Sequence, residues 1–575
     1  MAETAEDATT DKAWNRAAAS PRGMCVVIAV LLRSVVLLGP VCGASPSQEG
    51  SSRFKVLRMH IDTKEELNLL RRLQVTHNLD PWLEVGRVNS TGDYLVSPQH
   101  IHELQKDLEA SSIRYRVLID DAERFFHEHS PVRSRHRLKR STTANDFRHK
   151  FLSYAELRQF LRHVKNSATN ADVEMGSIGH SFEGRATPFV KISSLLNKSP
   201  KGTIFIDGGI HGREWISPAL TVEIIHRLAF NSENDTAVNK LLAMFDWIIV
   251  PLVNPDGYAY TFTPGFESRM WRKSRTTAYS NDPFCLGVDI NRNFGFHWND
   301  SPAHGGSSNP CSSTYSGPRS FSEPESRNMR FQLLKHRDAI KGYLSFHSFG
   351  QFFLYPWGYS KDVDIDDESD LKHVASTFSK TMMAKNYDYS VGGSAKVLYP
   401  AAGGSDDYVR GTVGVKYAYT VELPPHETSH YGFLLPESFV QSVVSDTWDG
   451  LKAFAFGLYN HLLTKNQGQE LGRSNSPNKT ELTFVPSKTD QAGTKRSRLK
   501  KDGTDPRNDT PRPQMYPATD KGALQRLWDL PVPYLVQSLW TGRPLWFSPP
   551  RYPTYHHKET NGPDIINTSI RKTQP

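Results

Sequence analysis

The residues of this chain best suited to chemistry are a histidine and a glutamate three positions apart, His211 and Glu214. They follow an apolar stretch, Thr203 to Ile206, that is typical of a buried strand and is ended by two glycines. Beyond them, Ser217 and Pro218 predict a helix N-cap followed by proline at the first helical position. The pair is therefore expected on a turn between a strand and a helix, where a rigid framework can direct two ligands at one metal ion. The spacing alone is weak evidence, because it also arises by chance.

Another histidine and another glutamate are expected at the same edge of a sheet. His347 lies at the carboxyl end of an apolar strand, 341–348. In the strand 416–423, the period of two places Thr420 and Glu422 on one face. Functional groups in open α/β sheets gather at the carboxyl ends of the strands. Two histidines, a glutamate and one open coordination position predict a catalytic zinc site, and the further carboxylate can act as general base for an attacking water.

The chain resembles the zinc metallocarboxypeptidases of the pancreatic carboxypeptidase A and B type. The resemblance covers residues 151–462 as a catalytic domain and, more weakly, residues 54–126 as its prosegment. It is carried, in chain order, by HGREWISPA, VPLVNPDGY, MWRKSR, GVDINRN, FHSFGQ, YPAAGGSDDY, VEL and YGFLLPES. It implies an α/β fold with a mixed, twisted eight-stranded sheet and helices on both faces, preceded by a small α/β prosegment domain.

The resemblance implies a catalytic role for six residues. One Zn²⁺ per catalytic domain is expected, bound by His211, Glu214 and His347. Glu422 corresponds to the general base, and Arg272 to the arginine that polarises the scissile carbonyl and stabilises the oxyanion. Asp289 corresponds to the carboxylate that orients the first histidine, a partner that metal-bound histidines generally have.

The resemblance also implies the residues that bind the substrate. Asn291 and Arg292 correspond to the pair that holds the terminal carboxylate, for which a planar guanidinium is well suited. Tyr399 corresponds to a mobile tyrosine that closes over the bound residue, and Arg213 to a residue of the neighbouring peptide subsite.

Each of these residues also has a simpler interpretation. Arg213 can be a solvated surface charge, and Tyr399, which precedes a proline, can be a loop aromatic. Asp289 can be a helix or turn cap, and Asn291 with Arg292 can form a turn. The presence of all the motifs in the family's order favours the functional interpretation.

Asp406 is the residue that predicts specificity. The resemblance places it at the floor of the pocket for the C-terminal side chain, where B-type enzymes have aspartate and A-type enzymes an aliphatic residue. Ser394 and Gly358, at other pocket positions, are small. A buried carboxylate needs a partner, which a substrate Lys or Arg would supply. The alternative is that Lys396 neutralises Asp406 from within.

The expected function is therefore hydrolysis of the C-terminal peptide bond of peptides or proteins, with a preference for Lys or Arg. One alternative is A-type cleavage of apolar residues, and another is a secreted binding protein that keeps the fold without turnover. Two positions depart from the family pattern. Phe349 replaces a tyrosine, and the segment after Glu422 and Leu423 is longer than in the pancreatic enzymes.

Composition indicates a secreted proenzyme. The apolar stretch Met24 to Leu38 follows arginines and precedes small residues, which is typical of a cleaved signal peptide. Arg33 lies within it, and a charge at the centre of a membrane span costs about 2.5 to 3.5 kcal/mol, so no stable span is expected. The net charge of +8 in 575 residues lies mostly in linkers, which argues against a nucleic-acid partner.

Five segments are predicted along the chain. They are an N-terminal extension with signal peptide at 1–44, the prosegment at 51–126, a basic linker at 127–140, the catalytic domain at 141–465 and a low-complexity, disordered extension at 466–575. Within the linker, Arg137, Lys139 and Arg140 resemble the cleavage site of a proprotein convertase, which would be a partner in activation. The alternative for this basic run is a simple solvated linker.

Cysteines and glycosylation sequons agree with an oxidising compartment. Cys25 and Cys42 lie within the signal segment, and the remaining two, Cys285 and Cys311, correspond to a disulfide pair of the family. A bridge closing such a loop contributes about 3 kcal/mol to stability. Sequons occur at Asn89, Asn197, Asn234, Asn299, Asn478, Asn508 and Asn567.

Overall fold

The computed structural model describes residues 53–129, 143–199, 201–230, 235–282, 285–300 and 305–474. The predicted signal segment, the predicted cleavage site at Arg140 and the extension beyond Ser474 lie outside these residues. None of the helices in the described ranges combines the length and apolar character that crossing a membrane requires.

The expected prosegment is a small α/β domain. Its elements follow the chain in the order β1 Lys55–Ile61, α1 Lys64–Thr76, β2 Asp80–Leu83, β3 Ser90–Val96, α2 Pro98–Glu109, β4 Arg114–Ile119 and α3 Ala122–His129. The strands form one antiparallel sheet in the order β2-β3-β1-β4.

The expected catalytic domain holds the remaining elements. Its strands are β5 Asp172–His180, β6 Ala186–Ser193, β7 Gly202–Gly208, β8 Phe245–Val250, β9 Ile340–Gly350, β10 Phe352–Tyr355, β11 Ser390–Gly393 and β12 Tyr417–His426. Its helices are α4 Tyr154–Ser167, α5 Ile216–Phe230, α6 Thr236–Met244, α7 Pro255–Tyr260, α8 Phe266–Arg269, α9 Pro324–Lys335, α10 Glu368–Met383, α11 Ser394–Val397, α12 Ser405–Tyr408 and α13 Val440–Ser474. The last helix, α13, continues past the expected end of the domain at 465.

The sheet of this domain confirms the predicted fold. Eight strands follow the order β11-β10-β12-β9-β7-β8-β6-β5, with the central strands β12, β9, β7 and β8 parallel, antiparallel pairs on either side of them, and the edge pair of β10 and β11 parallel again. Both faces are covered, because one apolar core includes Ile204 and Ile206 and the other includes Phe205. A strand buried on both faces is a continuous apolar run, which is why β7 could be identified from its sequence.

The start of α5 differs from the prediction. The helix begins at Ile216, so Ser217 lies inside its first turn and is not the N-cap. Its hydroxyl instead accepts a hydrogen bond from the Gly209 amide at 2.9 Å and donates one to the Phe346 carbonyl at 2.6 Å. Ser217 therefore ties the end of β7 to β9, and these are the strands that precede and carry the two histidines.

We expect Ser217→Ala to lower the free energy of unfolding by about 1–3 kcal/mol, because it leaves a buried amide and a buried carbonyl without their partner. Urea unfolding of the purified protein measures the change. The matched control is Ser442→Ala, since the exposed Ser442 hydroxyl bonds the Phe439 carbonyl of its own helical end and the nearby Tyr387 and joins no strands; its effect should stay within about 0.5 kcal/mol. Equal effects of the two substitutions would contradict the bridging role.

Candidate active site

Three buried side chains converge at the carboxyl edge of the central strands. His211 and Glu214 lie on the turn between β7 and α5, and His347 lies in β9. His211 Nδ1 is 2.7 Å from Glu214 Oε1, and His347 Nδ1 is 3.2 Å from both His211 Nδ1 and Glu214 Oε2. The structure thus brings together the three residues predicted as ligands.

The chemistry of these atoms fits zinc. The Nε2 atom of each ring has its own oxygen partner, Asp289 Oδ1 for His211 and Ser345 Oγ for His347, each at 3.1 Å. When each Nε2 carries the ring proton, both Nδ1 atoms are acceptors, as the carboxylate is, and facing acceptors require a cation between them. Zinc bonds of about 2.0–2.2 Å place tetrahedral ligand atoms about 3.3 Å apart, which matches the two 3.2 Å separations of His347 from the other two residues.

Asp289 connects the metal ligands to the substrate cleft. Its Oδ1 is bonded to His211 and accepts from the Asn291 amide at 3.0 Å, while its Oδ2 accepts from Arg272 Nε at 3.1 Å and Nη2 at 2.9 Å. Asp289 is also the N-cap of the short 3-10 helix Ile290–Arg292. Both predictions for this residue therefore agree with the structure, since it caps a turn and also contacts the first histidine. Burial alone raises the pKa of Asp289, but the charge of Arg272 brings it well below its usual range.

Glu422 lies beside the ligands through strand register. In the parallel pair of β12 and β9, Glu422 is opposite His347, and both side chains line the same cleft. Burial raises the pKa of Glu422 to about 8, and the charge of His347 opposes the shift. The carboxylate therefore lies beside the ligand residues with a raised proton affinity, the position that the predicted role of general base requires.

The cleft holds every predicted substrate-binding residue. Its lining includes Arg213, Arg272, Asn291, Arg292, Tyr399 and Asp406. The Asn291 Oδ1 atom accepts from the Ser405 amide at 2.9 Å. Arg292 donates through Nε to the Gly305 carbonyl at 2.9 Å and through Nη1 to the Asn291 carbonyl at 3.0 Å, so its guanidinium is held in one orientation.

Asp406 is a buried carboxylate in one branch of the cleft. Only 5% of the residue is exposed, and burial raises the pKa of its carboxyl group. Ser394 Oγ donates to its Oδ2 at 3.3 Å. Lys396, the alternative internal partner, is exposed and binds Asp364 instead. Within the described part of the chain, no Lys or Arg is within ion-pair distance of Asp406.

Residues of the prosegment, which sequence reasoning did not single out, occupy the cleft. Arg213 pairs with Asp80 and donates to the Pro81 carbonyl at 2.9 Å, so it is not a solvated charge. Glu84 also lines the cleft; burial raises its pKa, and the charge of Arg292 opposes the shift. The short stretch DPWLE has no periodic signal of its own, which explains why sequence reasoning missed it.

The two remaining cysteines, Cys285 and Cys311, form a disulfide bond with their Cα atoms 4.1 Å apart. Ser313, close to the second cysteine, lines the cleft. The bond therefore joins two parts of the loop region next to the substrate-binding residues.

Comparisons with known proteins agree with this geometry. The zinc carboxypeptidase family matches residues 157–450, and the carboxypeptidase activation peptide family matches residues 57–129. Carboxypeptidase B of Astacus astacus is 43% identical over 279 residues, which are 48% of this chain and 87% of the relative. Carboxypeptidase B of Helicoverpa zea is 38% identical over 411 residues, 69% of this chain and 92% of the relative.

Solved structures show the same similarity. The crystal structure of carboxypeptidase A from Helicoverpa armigera has a TM-score of 0.64 at 29% identity and covers 71% of this chain and 98% of its own. That of thrombin activatable fibrinolysis inhibitor has a TM-score of 0.62 at 30% identity, covering 71% and 99%. The chain therefore belongs to the zinc carboxypeptidase family and carries that family's activation peptide before its catalytic domain.

Proposed function

We propose that this zinc carboxypeptidase is a secreted proenzyme that, once activated, removes C-terminal Lys or Arg from peptides and proteins. The observation that carries the proposal is the buried Asp406 carboxylate, which has Ser394 as a neighbour but no internal cation among the described residues. A buried charge without a partner is unfavourable, and a Lys or Arg side chain of the substrate would supply that partner. Several curated relatives bear the name carboxypeptidase B, in agreement with this preference.

The proposed mechanism uses the contacts described above. A zinc ion held by His211, Glu214 and His347 supplies Lewis-acid catalysis when bound, because it lowers the pKa of water and polarises a carbonyl. Glu422 takes a proton from the attacking water and then passes it to the leaving amine. Arg272, held on Asp289 by Nε and Nη2, directs Nη1 toward the ligands, 3.6 Å from Glu214 Oε1, where it can donate to the developing oxyanion.

Substrate position is set by the other end of the cleft. Arg292 and Asn291 hold the terminal carboxylate, and the fixed guanidinium of Arg292 loses little entropy on binding. Tyr399, half-buried at the cleft, closes over the bound residue. These contacts restrict cleavage to the last peptide bond, since an internal residue has no free carboxylate to offer them.

Activation requires release of the prosegment, because Asp80 and Glu84 occupy positions that substrate needs. We propose that a proprotein convertase cuts after Arg140, in the basic run between the two domains. Secretion is supported by the disulfide, which is stable in oxidising compartments, and by the exposed sequon at Asn89. By contrast, the Asn197 amide already donates to the Ala243 carbonyl at 3.2 Å.

Glu422→Gln should retain zinc yet lose hydrolysis by about 10² to 10⁴-fold, because the amide cannot accept the proton of the attacking water. Zinc content and hydrolysis of a peptide ending in Arg are measured on protein cut at Arg140. Glu174→Gln, an exposed change of the same type on β5, is the control and should leave both values unchanged. Wild-type turnover by Glu422→Gln would show that another group is the base, and an inactive wild type would favour the binding-protein alternative.

Asp406→Ile should cut kcat/KM on a peptide ending in Arg or Lys by about thirtyfold or more, since truncating one partner of a buried charged pair costs about 2–5 kcal/mol. The same change makes the pocket apolar, so a peptide ending in Phe or Leu should be cleaved better than by wild type. Matched peptides that differ only in the last residue measure both effects. Lys396→Ala is the control: because Lys396 pairs with Asp364, the preference should not change. A wild-type preference for Phe or Leu would establish A-type specificity instead.

Replacing Arg137, Lys139 and Arg140 with Ala should leave an intact, poorly active precursor when the protein is secreted from cells. The reason is that the prosegment then stays on the cleft through the Asp80 and Arg213 pair. N-terminal sequencing and activity of the secreted protein provide the measurement. The same N-terminus and the same activity in variant and wild type would contradict the processing site.

A further inference from the structure

A second row of polar residues crosses the central sheet, two positions before His347 along β9. In the parallel ladder, Asp207 of β7 is opposite Ser345 of β9, and Ser345 is opposite Thr420 of β12. Ser345 and His347 are two residues apart in β9, so their side chains share a face. Strand register therefore places a carboxylate and a hydroxyl directly behind one of the zinc ligands.

Two hydrogen bonds connect this row to the ligand. Ser345 Oγ is 3.1 Å from His347 Nε2 and 2.8 Å from Asp207 Oδ1. Asp207 and Ser345 are fully buried, and His347 is 1% exposed. The mechanism proposed above uses neither Asp207 nor Ser345, although burying a carboxylate this deeply is expensive without a compensating role.

The number of protons on each group determines which group donates in each of these two hydrogen bonds. A hydroxyl has one proton, and an ionised carboxylate can only accept, so Ser345 donates to Asp207. The Ser345 oxygen then accepts from His347, which places the ring proton on Nε2. In a neutral imidazole the lone pair is then on Nδ1, the atom that faces Glu214 and His211 at 3.2 Å.

We propose that Ser345 and Asp207 are positioning residues for zinc, which fix the tautomer and the orientation of His347 through a two-step relay. The first histidine reaches its carboxylate directly, since His211 Nε2 is 3.1 Å from Asp289 Oδ1. The second reaches Asp207 only through a hydroxyl. Partners of metal-bound histidines raise the basicity of the ligand and reduce the entropy it loses on binding, and the relay extends that support to His347.

The test is the zinc affinity of the full chain, measured by competition with a chromophoric chelator. Ser345→Ala should weaken zinc binding by about 10–100-fold, the usual effect of losing such a partner. Ser345→Thr keeps the hydroxyl and suits a strand, so it should restore most of the affinity. The matched control is Ser326→Ala, because the fully buried Ser326 hydroxyl bonds Asn293 Oδ1 at 2.7 Å, away from the ligands.

Zinc affinity and stability separate a positioning role from a structural one. If the role is only structural, Ser345→Ala and Ser326→Ala should both lower the urea midpoint of the zinc-free protein and leave zinc affinity unchanged. That result would overturn the proposal, as would Ser345→Thr binding no better than Ser345→Ala. Weaker zinc binding by Ser345→Ala alone, with rescue by Ser345→Thr, supports it.

Asp207→Asn provides a second variant that keeps the side-chain volume and removes the charge. It should weaken zinc binding by about tenfold, at the low end of the same range. In the Ser345→Ala background its effect should be several times smaller, because the hydrogen-bonded connection from Asp207 to His347 runs through that hydroxyl and only the weaker direct attraction between the two side chains remains. Equal losses in both backgrounds would overturn the relay, and this comparison remains decisive if Ser345→Thr fails to fold.

Discussion

The convergence of two imidazole nitrogens and a carboxylate in a buried space is the constraint on which the rest of the structure depends. Acceptors 2.7 to 3.2 Å apart repel one another unless a cation lies between them, so the fold must hold them together before metal binds. The central parallel strands provide that rigidity. Ser217 joins the end of β7 to β9, and Asp289 and Ser345 hold the far side of each ring.

Pairs of arginines and carboxylates continue from the metal-ligand residues into the cleft. Asp289 holds Arg272, and the cationic positions Arg213 and Arg292 face carboxylates of the prosegment, Asp80 and Glu84. Under the proposed function, the prosegment satisfies in the proenzyme the charges that a substrate would satisfy in the active enzyme. The same arginines would then serve both inhibition and substrate recognition, and removal of the prosegment would leave them free to bind a carboxylate.

Sequence alone predicted what depends on local pattern. His211, Glu214, His347 and Glu422 could be found because apolar strands with clear ends precede or contain them. Ser217 was misplaced because Ser followed by Pro is typical of an N-cap, whereas its tertiary contacts with Gly209 and Phe346 determine its position. Asp80, Glu84 and Asp207 could not be found, since their roles arise from contacts between segments far apart in the chain.

Under the proposed function, one strand connects the specificity pocket to the general base. Thr420 and Glu422 lie on one face of β12, the first beside Ser345 and the second beside His347, and Thr420 hydrogen-bonds Asp406. In the proposed mode of binding, a substrate cation paired with Asp406 would lie beside Thr420, two strand positions from Glu422. Because a displacement of about 1 Å can cost a hundredfold in rate, a single rigid strand that carries both residues would keep the scissile bond aligned with the base.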